Sequence, residues 1–226
     1  MEEKIGFIGL GNIGKPIADN ISRGSFAMSV YDIAGTRERA PAGAFVSSSV
    51  TEVAENSTVI FLCLPSISAI QDVVAEICKA EVADTAVVVN ISTAGQTAAI
   101  AAHDQLHEKG IAYADAPVSG SVIRAGKGQL SVMFSGEVEL FNRLKPLFNT
   151  FGNNLFNLGI KPGNGQLMKV LNNCLIHTAF VITSEALAFG EKGGLDMKTM
   201  LDVINVSSGQ NFATDHFFPN HVLTET

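Results

Sequence analysis

The chain has 226 residues, 46% of them hydrophobic, which suits one large domain or two small ones with a sizeable core and excludes a disordered chain. A formal net charge of −7 and a pI near 5.2 argue against nucleic acid or an acidic membrane surface as a partner. They leave room for a small anionic ligand held by local donors.

The first apolar run, Ile5-Gly6-Phe7-Ile8, reads as a strand and leads directly into Gly9-Leu10-Gly11-Asn12-Ile13-Gly14. A helix pattern follows, with Pro16 in its first turn, where a missing N–H is harmless. In a strand–turn–helix setting the three glycines have separate tasks: a tight turn, an approach of backbone to a pyrophosphate, and close helix–strand packing. The helix N-terminus beside Asn12 and Ile13 offers N–H groups to phosphates. A second strand, Met28-Ser29-Val30-Tyr31, ends at Asp32, about twenty residues on, where an acid is expected to accept hydrogen bonds from an adenosine ribose. A carboxylate there repels a 2′-phosphate, so the expected cofactor is NAD, with NADP less favoured although Arg37 lies close by.

Further strand patterns occur at Val59–Leu62, Ala86–Val89 and Ile111–Ala114, separated by helical stretches. This alternation predicts an α/β fold: a Rossmann-type doubly wound, mostly parallel sheet over residues 1–162. Leu130–Phe134 reads as one more strand and Val138–Phe148 as a returning helix. After Gly159-Ile160-Lys161-Pro162-Gly163-Asn164-Gly165 the texture changes. Leu167–Lys192 has no proline and a single glycine, and it stops at Gly193-Gly194, a plausible C-cap. Its apolar residues lie nearly all round, so this long helix is expected to be buried between domains or subunits. A helix over Met197–Val206 and an irregular end complete an all-α domain, residues 163–226.

Within that long helix Lys169 and Asn173 stand at i and i+4, on one face. An amine able to give up its proton beside a neutral amide suits proton transfer at a substrate oxygen. His177 is on the same face and reads as a satisfied or interfacial histidine. His103 and His107 read as helix surface, and Met168, Met197 and Met200 as core filler. Cys63, Cys78 and Cys174 form no CxxC or Cys/His cluster, so no metal is expected and a reducing, cytoplasmic setting fits. Met1-Glu2-Glu3-Lys4 does not open a signal sequence, and no stretch is expected to span a membrane.

Taken together, four motifs resemble those of the 3-hydroxyisobutyrate dehydrogenase (β-hydroxyacid dehydrogenase) family. They are the glycine loop running on to Asn20; Leu64-Pro65-Ser66; Asn90-Ile91-Ser92-Thr93 with Asp115-Ala116-Pro117-Val118-Ser119-Gly120; and Gly163–Asn173. The resemblance implies that Leu64, Pro65, Ser92 and Thr93 lie beside the cofactor ribose and nicotinamide. It implies that Ser119, Gly120 and Thr93 hold a substrate carboxylate, and that Lys169 exchanges the hydroxyl proton while Asn173 orients the reacting groups. Asn90 stands where the family has an acid, and Ser121 where a second glycine is usual. The related 6-phosphogluconate dehydrogenases carry a histidine where this chain has Asn172, and imine reductases lack the lysine, so both lose weight.

The implied activity is hydride transfer between NAD and a small 3-hydroxy acid or semialdehyde, in a homodimer or tetramer built through the long helix. Family chains generally continue well past the position of Thr226, so the helical domain is expected to be shortened. That leaves a non-catalytic dinucleotide-binding subunit or paralogue as the alternative.

Overall fold

The computed structural model describes residues 3–24 and 26–223; the charged start Met1-Glu2 and the last residues up to Thr226 lie outside them. The chain divides into two compact units, Met1–Lys169 and Val170–Thr226.

In the first unit, β1 (Ile5–Ile8), α1 (Gly14–Arg23), β2 (Met28–Tyr31), β3 (Phe45–Val46), α2 (Val50–Glu55), β4 (Val59–Leu62), α3 (Ile67–Ile77), β5 (Val87–Asn90), α4 (Gln96–His107) and β6 (Ala112–Asp115) follow in order. All six strands are parallel, in the order β3-β2-β1-β4-β5-β6. Strands β1, β4 and β5 are buried at every position because helices cover both faces, which is why they read as unbroken apolar runs. Serine side chains start two of the covering helices: Ser49 accepts the Glu52 N–H at α2, and Ser66 accepts the Ala69 N–H at α3.

A second sheet extends this unit through β7 (Val118–Ser119), α5 (Val122–Gly126), β8 (Leu130–Phe134), α6 (Val138–Phe151) and β9 (Gly152–Asn157), in the order β7-β8-β9. Phe61 packs against Phe7, Phe148 and Phe151, with ring centroids 5.9, 6.5 and 6.1 Å away, and so joins α6 to the main sheet.

The sequence places β1, β2, β4 and β8 correctly, while β5 and β6 each begin one residue later than the apolar runs suggest. The sequence pattern misses β3, β7, α5 and β9. Two of these strands have only two residues, and β9 reads Gly-Asn-Asn-Leu-Phe-Asn with mostly exposed side chains, which no alternation rule selects.

Helix α7 (Asn164–Lys192) starts in the first unit and continues into the second, where α8 (Met197–Ile204), a π-helical turn (Ala213–Phe217) and α9 (Phe218–His221) follow. The end expected to be irregular is therefore helical. Leu187, Met200, Leu201, Ala213 and Phe218 form the core of the second unit, and a Cβ on Gly190 would lie 2.1 Å from the Met200 sulfur, so the methionine of α8 packs directly over the glycine. Gly194, at φ +89°, ends α7 as the paired glycines suggest.

Two expectations need correction, Met168 as core filler and the lack of any stretch of membrane-spanning length and apolarity, whereas burial of α7 between subunits concerns an assembly and not the single chain. Leu171, Leu175, Val181, Ile182 and Phe189 are exposed in the single chain, and so is Met168, which is not core filler. The 29 residues of α7 also make it long and apolar enough to cross a membrane by length and composition alone. A local run of apolar side chains cannot tell burial by a protein neighbour from burial in lipid.

Candidate active site

The last residues of five neighbouring strands, Tyr31, Ile8, Leu62, Asn90 and Asp115, lie in register in one row. At about 4.8 Å per strand, the loops leaving this row cover about 19 Å of the carboxyl edge. The strand order reverses between β1 and β4, and ligands of open α/β sheets bind at such a switch point. Every candidate residue of the first unit except Lys169 is on or beside these loops.

At the centre is the glycine loop. Gly9 has φ +98°, and a Cβ there would lie 2.2 Å from the Cys63 carbonyl oxygen. At Gly14, the first residue of α1, a Cβ would lie 2.0 Å from the Gly9 carbonyl oxygen. Gly11 differs: a Cβ there would meet nothing within 4 Å, so its lack of a side chain serves nothing in the chain's own packing. Helix α1 has no side-chain cap from Ile13 and no acid in its first turn. Open space above a glycine at an uncapped helix N-terminus fits a pyrophosphate.

Asp32 is buried. Its Oδ2 accepts the Leu10 N–H at 2.6 Å, its Oδ1 accepts the Ala34 N–H at 2.8 Å, and Arg39 approaches Oδ1 at 3.3 Å. The carboxylate is thus fixed beside the glycine loop.

Across the switch point, Ser92 joins two loops: its hydroxyl accepts the Leu64 N–H at 2.8 Å and donates to the Leu62 carbonyl at 3.2 Å. This hydroxyl shapes the Leu64-Pro65 loop. Thr93, exposed between buried Ser92 and Ala94, presents its side chain outward. Asn90 is fully buried; its Oδ1 accepts the Ser92 N–H at 3.0 Å and its Nδ2 donates to the Tyr113 hydroxyl at 3.3 Å. An amide supplies both a donor and an acceptor there, which accounts for asparagine in place of an acid.

Ser119 is half-buried on β7, and Gly120 follows at φ +146° with Leu130 Cδ2 2.6 Å from where a Cβ would stand. Ser121 has extended backbone and caps α5 by accepting the Arg124 N–H, so no glycine is needed at that position.

The start of α7 is seated on the same sheet edge. Asp115, fully buried at the end of β6, accepts the Gly163 N–H at 2.5 Å and the Tyr113 hydroxyl at 2.8 Å, while the Ser135 hydroxyl accepts the Gly165 N–H at 3.1 Å. Burial raises the Asp115 pKa despite these donors. A Cβ on Gly165 would lie 2.3 Å from the Met133 carbonyl oxygen, so β8 and the helix touch through bare backbone. Lys169 follows one turn later, half-buried, and loss of hydration lowers its pKa from the ordinary lysine value. Asn173, a turn further along α7, is half-buried as well. His177 is exposed, with its ring 6.5 Å from that of Phe180.

A doubly wound parallel sheet with a glycine loop and a carboxylate fixed at the end of β2 is the architecture of a dinucleotide-binding domain. Residues 4–159 match the family model for the NAD binding domain of 6-phosphogluconate dehydrogenase, and residues 163–226 that for the NAD-binding domain of NADP-dependent 3-hydroxyisobutyrate dehydrogenase. The chain is 32% identical to the NAD-dependent L-serine dehydrogenase of Pseudomonas aeruginosa, over 96% of this chain and 74% of that protein. It is also 32% identical to the 2-(hydroxymethyl)glutarate dehydrogenase of Eubacterium barkeri, over 94% of this chain and 71% of that one. Among solved structures it superposes on the 3-hydroxyisobutyrate dehydrogenase of Mycobacterium tuberculosis with L-serine, with a TM-score of 0.85 and 26% identity over 96% of this chain and 74% of that one. The chain belongs to the 3-hydroxyisobutyrate dehydrogenase (β-hydroxyacid dehydrogenase) family. Members are NAD(P)-dependent oxidoreductases of CH–OH groups, and NAD is the cofactor the matched domains support, with NADP not excluded.

Proposed function

We propose that this chain oxidises a small 3-hydroxy acid, of the 3-hydroxyisobutyrate type, to its semialdehyde with NAD, and that Lys169 is the general acid and base. The observation that carries the reading is the half-buried Lys169, whose pKa burial lowers, one turn into a helix seated on the ligand-binding edge of the sheet. A lysine acting as a base must first be neutral, and lost hydration favours that form.

The compounds named in the three similar proteins, L-serine, 2-(hydroxymethyl)glutarate and 3-hydroxyisobutyrate, each carry a hydroxymethyl group on the carbon next to a carboxylate. That shared unit is the substrate class we infer. When bound, the nicotinamide ring supplies the hydride acceptor or donor. Gly9, Gly11, Asn12, Ile13 and Gly14 would hold the pyrophosphate, Asp32 the adenosine ribose, and Leu64, Pro65, Ser92 and Thr93 the nicotinamide half. Ser119, Gly120 and Thr93 would hold the substrate carboxylate. Lys169 would take the hydroxyl proton in oxidation and return it in reduction, with Asn173 orienting the hydroxyl. In this reading residues 1–162 are the cofactor-binding domain and residues 163–226 the helical domain.

We further propose a homodimer or tetramer in which a second copy covers the exposed apolar residues of α7, and a cytoplasmic setting, which the three unbridged cysteines favour. The test is NADH formation by the purified chain over a panel of 2-substituted 3-hydroxypropanoates, with NAD and NADP in parallel and Lys169→Ala as control. Lysine-dependent turnover on one of them supports the reading. NADH binding without turnover on any of them overturns it in favour of a non-catalytic dinucleotide-binding protein.

A further inference from the structure

Gln166 was not among the residues the motifs single out, yet every polar atom of its side chain is in use. It is fully buried. Its Oε1 accepts the Ala94 N–H at 2.8 Å and the Gly95 N–H at 3.3 Å. Its Nε2 donates to the Ser92 carbonyl at 2.9 Å, and the amide lies beside the Asp115 carboxylate. An amide has two acceptor lone pairs and two N–H donors, and here both polar atoms are engaged, the oxygen twice.

These partners have a pattern. Ser92 and Ala94 flank exposed Thr93, so one side chain grips the backbone on both sides of a residue that points outward. Ser92 in turn holds the Leu64 N–H. At the other end of the grip, Gln166 is in the first turn of α7, three residues before Lys169, and side chains at i and i+3 lie about 5–6 Å apart at Cβ on one helix face. A purely structural helix anchor was already present in the bonds from Gly163 and Gly165 to Asp115 and Ser135. The glutamine adds something those bonds do not: it ties the helix specifically to the loop carrying Thr93.

We propose that Gln166 is a positioning residue for the reaction, fixing the turn that carries Lys169 against the Ser92–Gly95 loop. The inference rests on Lys169 being the general acid and base. It names a determinant of proton-transfer geometry that touches neither substrate nor cofactor itself. A displacement of about 1 Å in a reacting group can lower a rate by about 100-fold, so losing this grip should be seen in kcat.

The experiment compares wild type, Lys169→Ala, Gln166→Met and Gln166→Glu in NADH formation and in NADH binding by fluorescence titration. Methionine fills the same volume without polar atoms. In folded Gln166→Met, kcat is expected to fall about 10- to 100-fold, while NADH binding weakens by less, because the loop that the glutamine grips would hold only the nicotinamide half and the glycine loop and Asp32 would hold the rest of the cofactor. Unchanged kcat in that variant overturns the proposal; a merely structural role would lower the yield or Tm and leave kcat per folded molecule intact.

Should Gln166→Met not fold, Gln166→Glu decides. Its carboxyl can donate to the Ser92 carbonyl only when protonated, and the Asp115 carboxylate beside it favours that protonated form. Its activity in semialdehyde reduction should therefore fall with rising pH earlier than that of wild type; a wild-type profile overturns the proposal. Absence of lysine-dependent turnover in wild type removes both readings. Lysine-dependent turnover with normal glutamine variants removes this one alone.

Discussion

The glycine loop makes a prediction in which stability and binding separate. Alanine at Gly9 brings a Cβ to 2.2 Å from the Cys63 carbonyl oxygen in a left-handed backbone, and alanine at Gly14 brings one to 2.0 Å from the Gly9 carbonyl oxygen. Both obstacles are backbone atoms, so the chain itself must move, at a cost of about 1–3 kcal/mol for overpacking and about 1–2 kcal/mol more for the left-handed residue. Gly11 is outside that region and has nothing within 4 Å of a Cβ. Alanine there should leave stability unchanged or raise it by about 0.4–1 kcal/mol through the unfolded chain. Its methyl nevertheless takes the space left for the pyrophosphate. Loss of one charge-assisted hydrogen bond, about 1.5–3 kcal/mol, weakens NADH binding by about 10- to 150-fold. Urea unfolding read by circular dichroism and NADH fluorescence titration on the three variants give both numbers. A Gly11→Ala protein that binds NADH like wild type would refute the placement of the pyrophosphate.

Asp32→Asn tests cofactor choice: the amide cannot accept both the Leu10 and Ala34 N–H groups with full charge, so stability falls by about 1.5–3 kcal/mol. With the negative charge gone, the NAD:NADP ratio of kcat/KM should drop at least about tenfold, and an unchanged ratio would remove Asp32 from the ribose site. For Lys169→Met, turnover should fall by about 10²–10⁴-fold with NADH binding retained. The same substitution should stabilise the fold at neutral pH. The folded-state pKa of Lys169 is lowered by burial, so the unfolded chain holds more protons between that pKa and the ordinary value of 10.5. Wild-type stability therefore carries a cost below the folded pKa that is relieved as pH rises toward 10.5, and the advantage of Lys169→Met should shrink over that window; an advantage independent of pH between 7 and about 10.5 would refute the cause assigned here.

How far the sequence reaches depends on the range of the interaction that fixes each feature. Strands β1, β4 and β5 are legible because burial on both faces leaves an unbroken apolar run. The glycine loop is legible because strand, turn and helix must follow at fixed spacing. Ser121 and Asn90 stand out as departures from a pattern, and each has a local reason: one caps α5 and the other needs a donor as well as an acceptor. Strand β9 is not legible, since its order comes from pairing with β8 and its side chains are largely solvated. Exposure along α7 is not legible either, because it depends on what lies opposite the helix.

Gln166 marks the limit of such reading most clearly. Its acceptors and donors are backbone groups of Ser92, Ala94 and Gly95, more than seventy residues away in sequence, and backbone partners leave no residue signature at their own positions. The lysine is conspicuous because an amine in an apolar helix violates the pattern, whereas a glutamine one turn earlier passes for an ordinary helix former. A proton-transfer group must be both perturbed and held. The perturbation is written in Lys169 and its neighbours, while the holding is carried by hydrogen bonds that only the folded chain brings together.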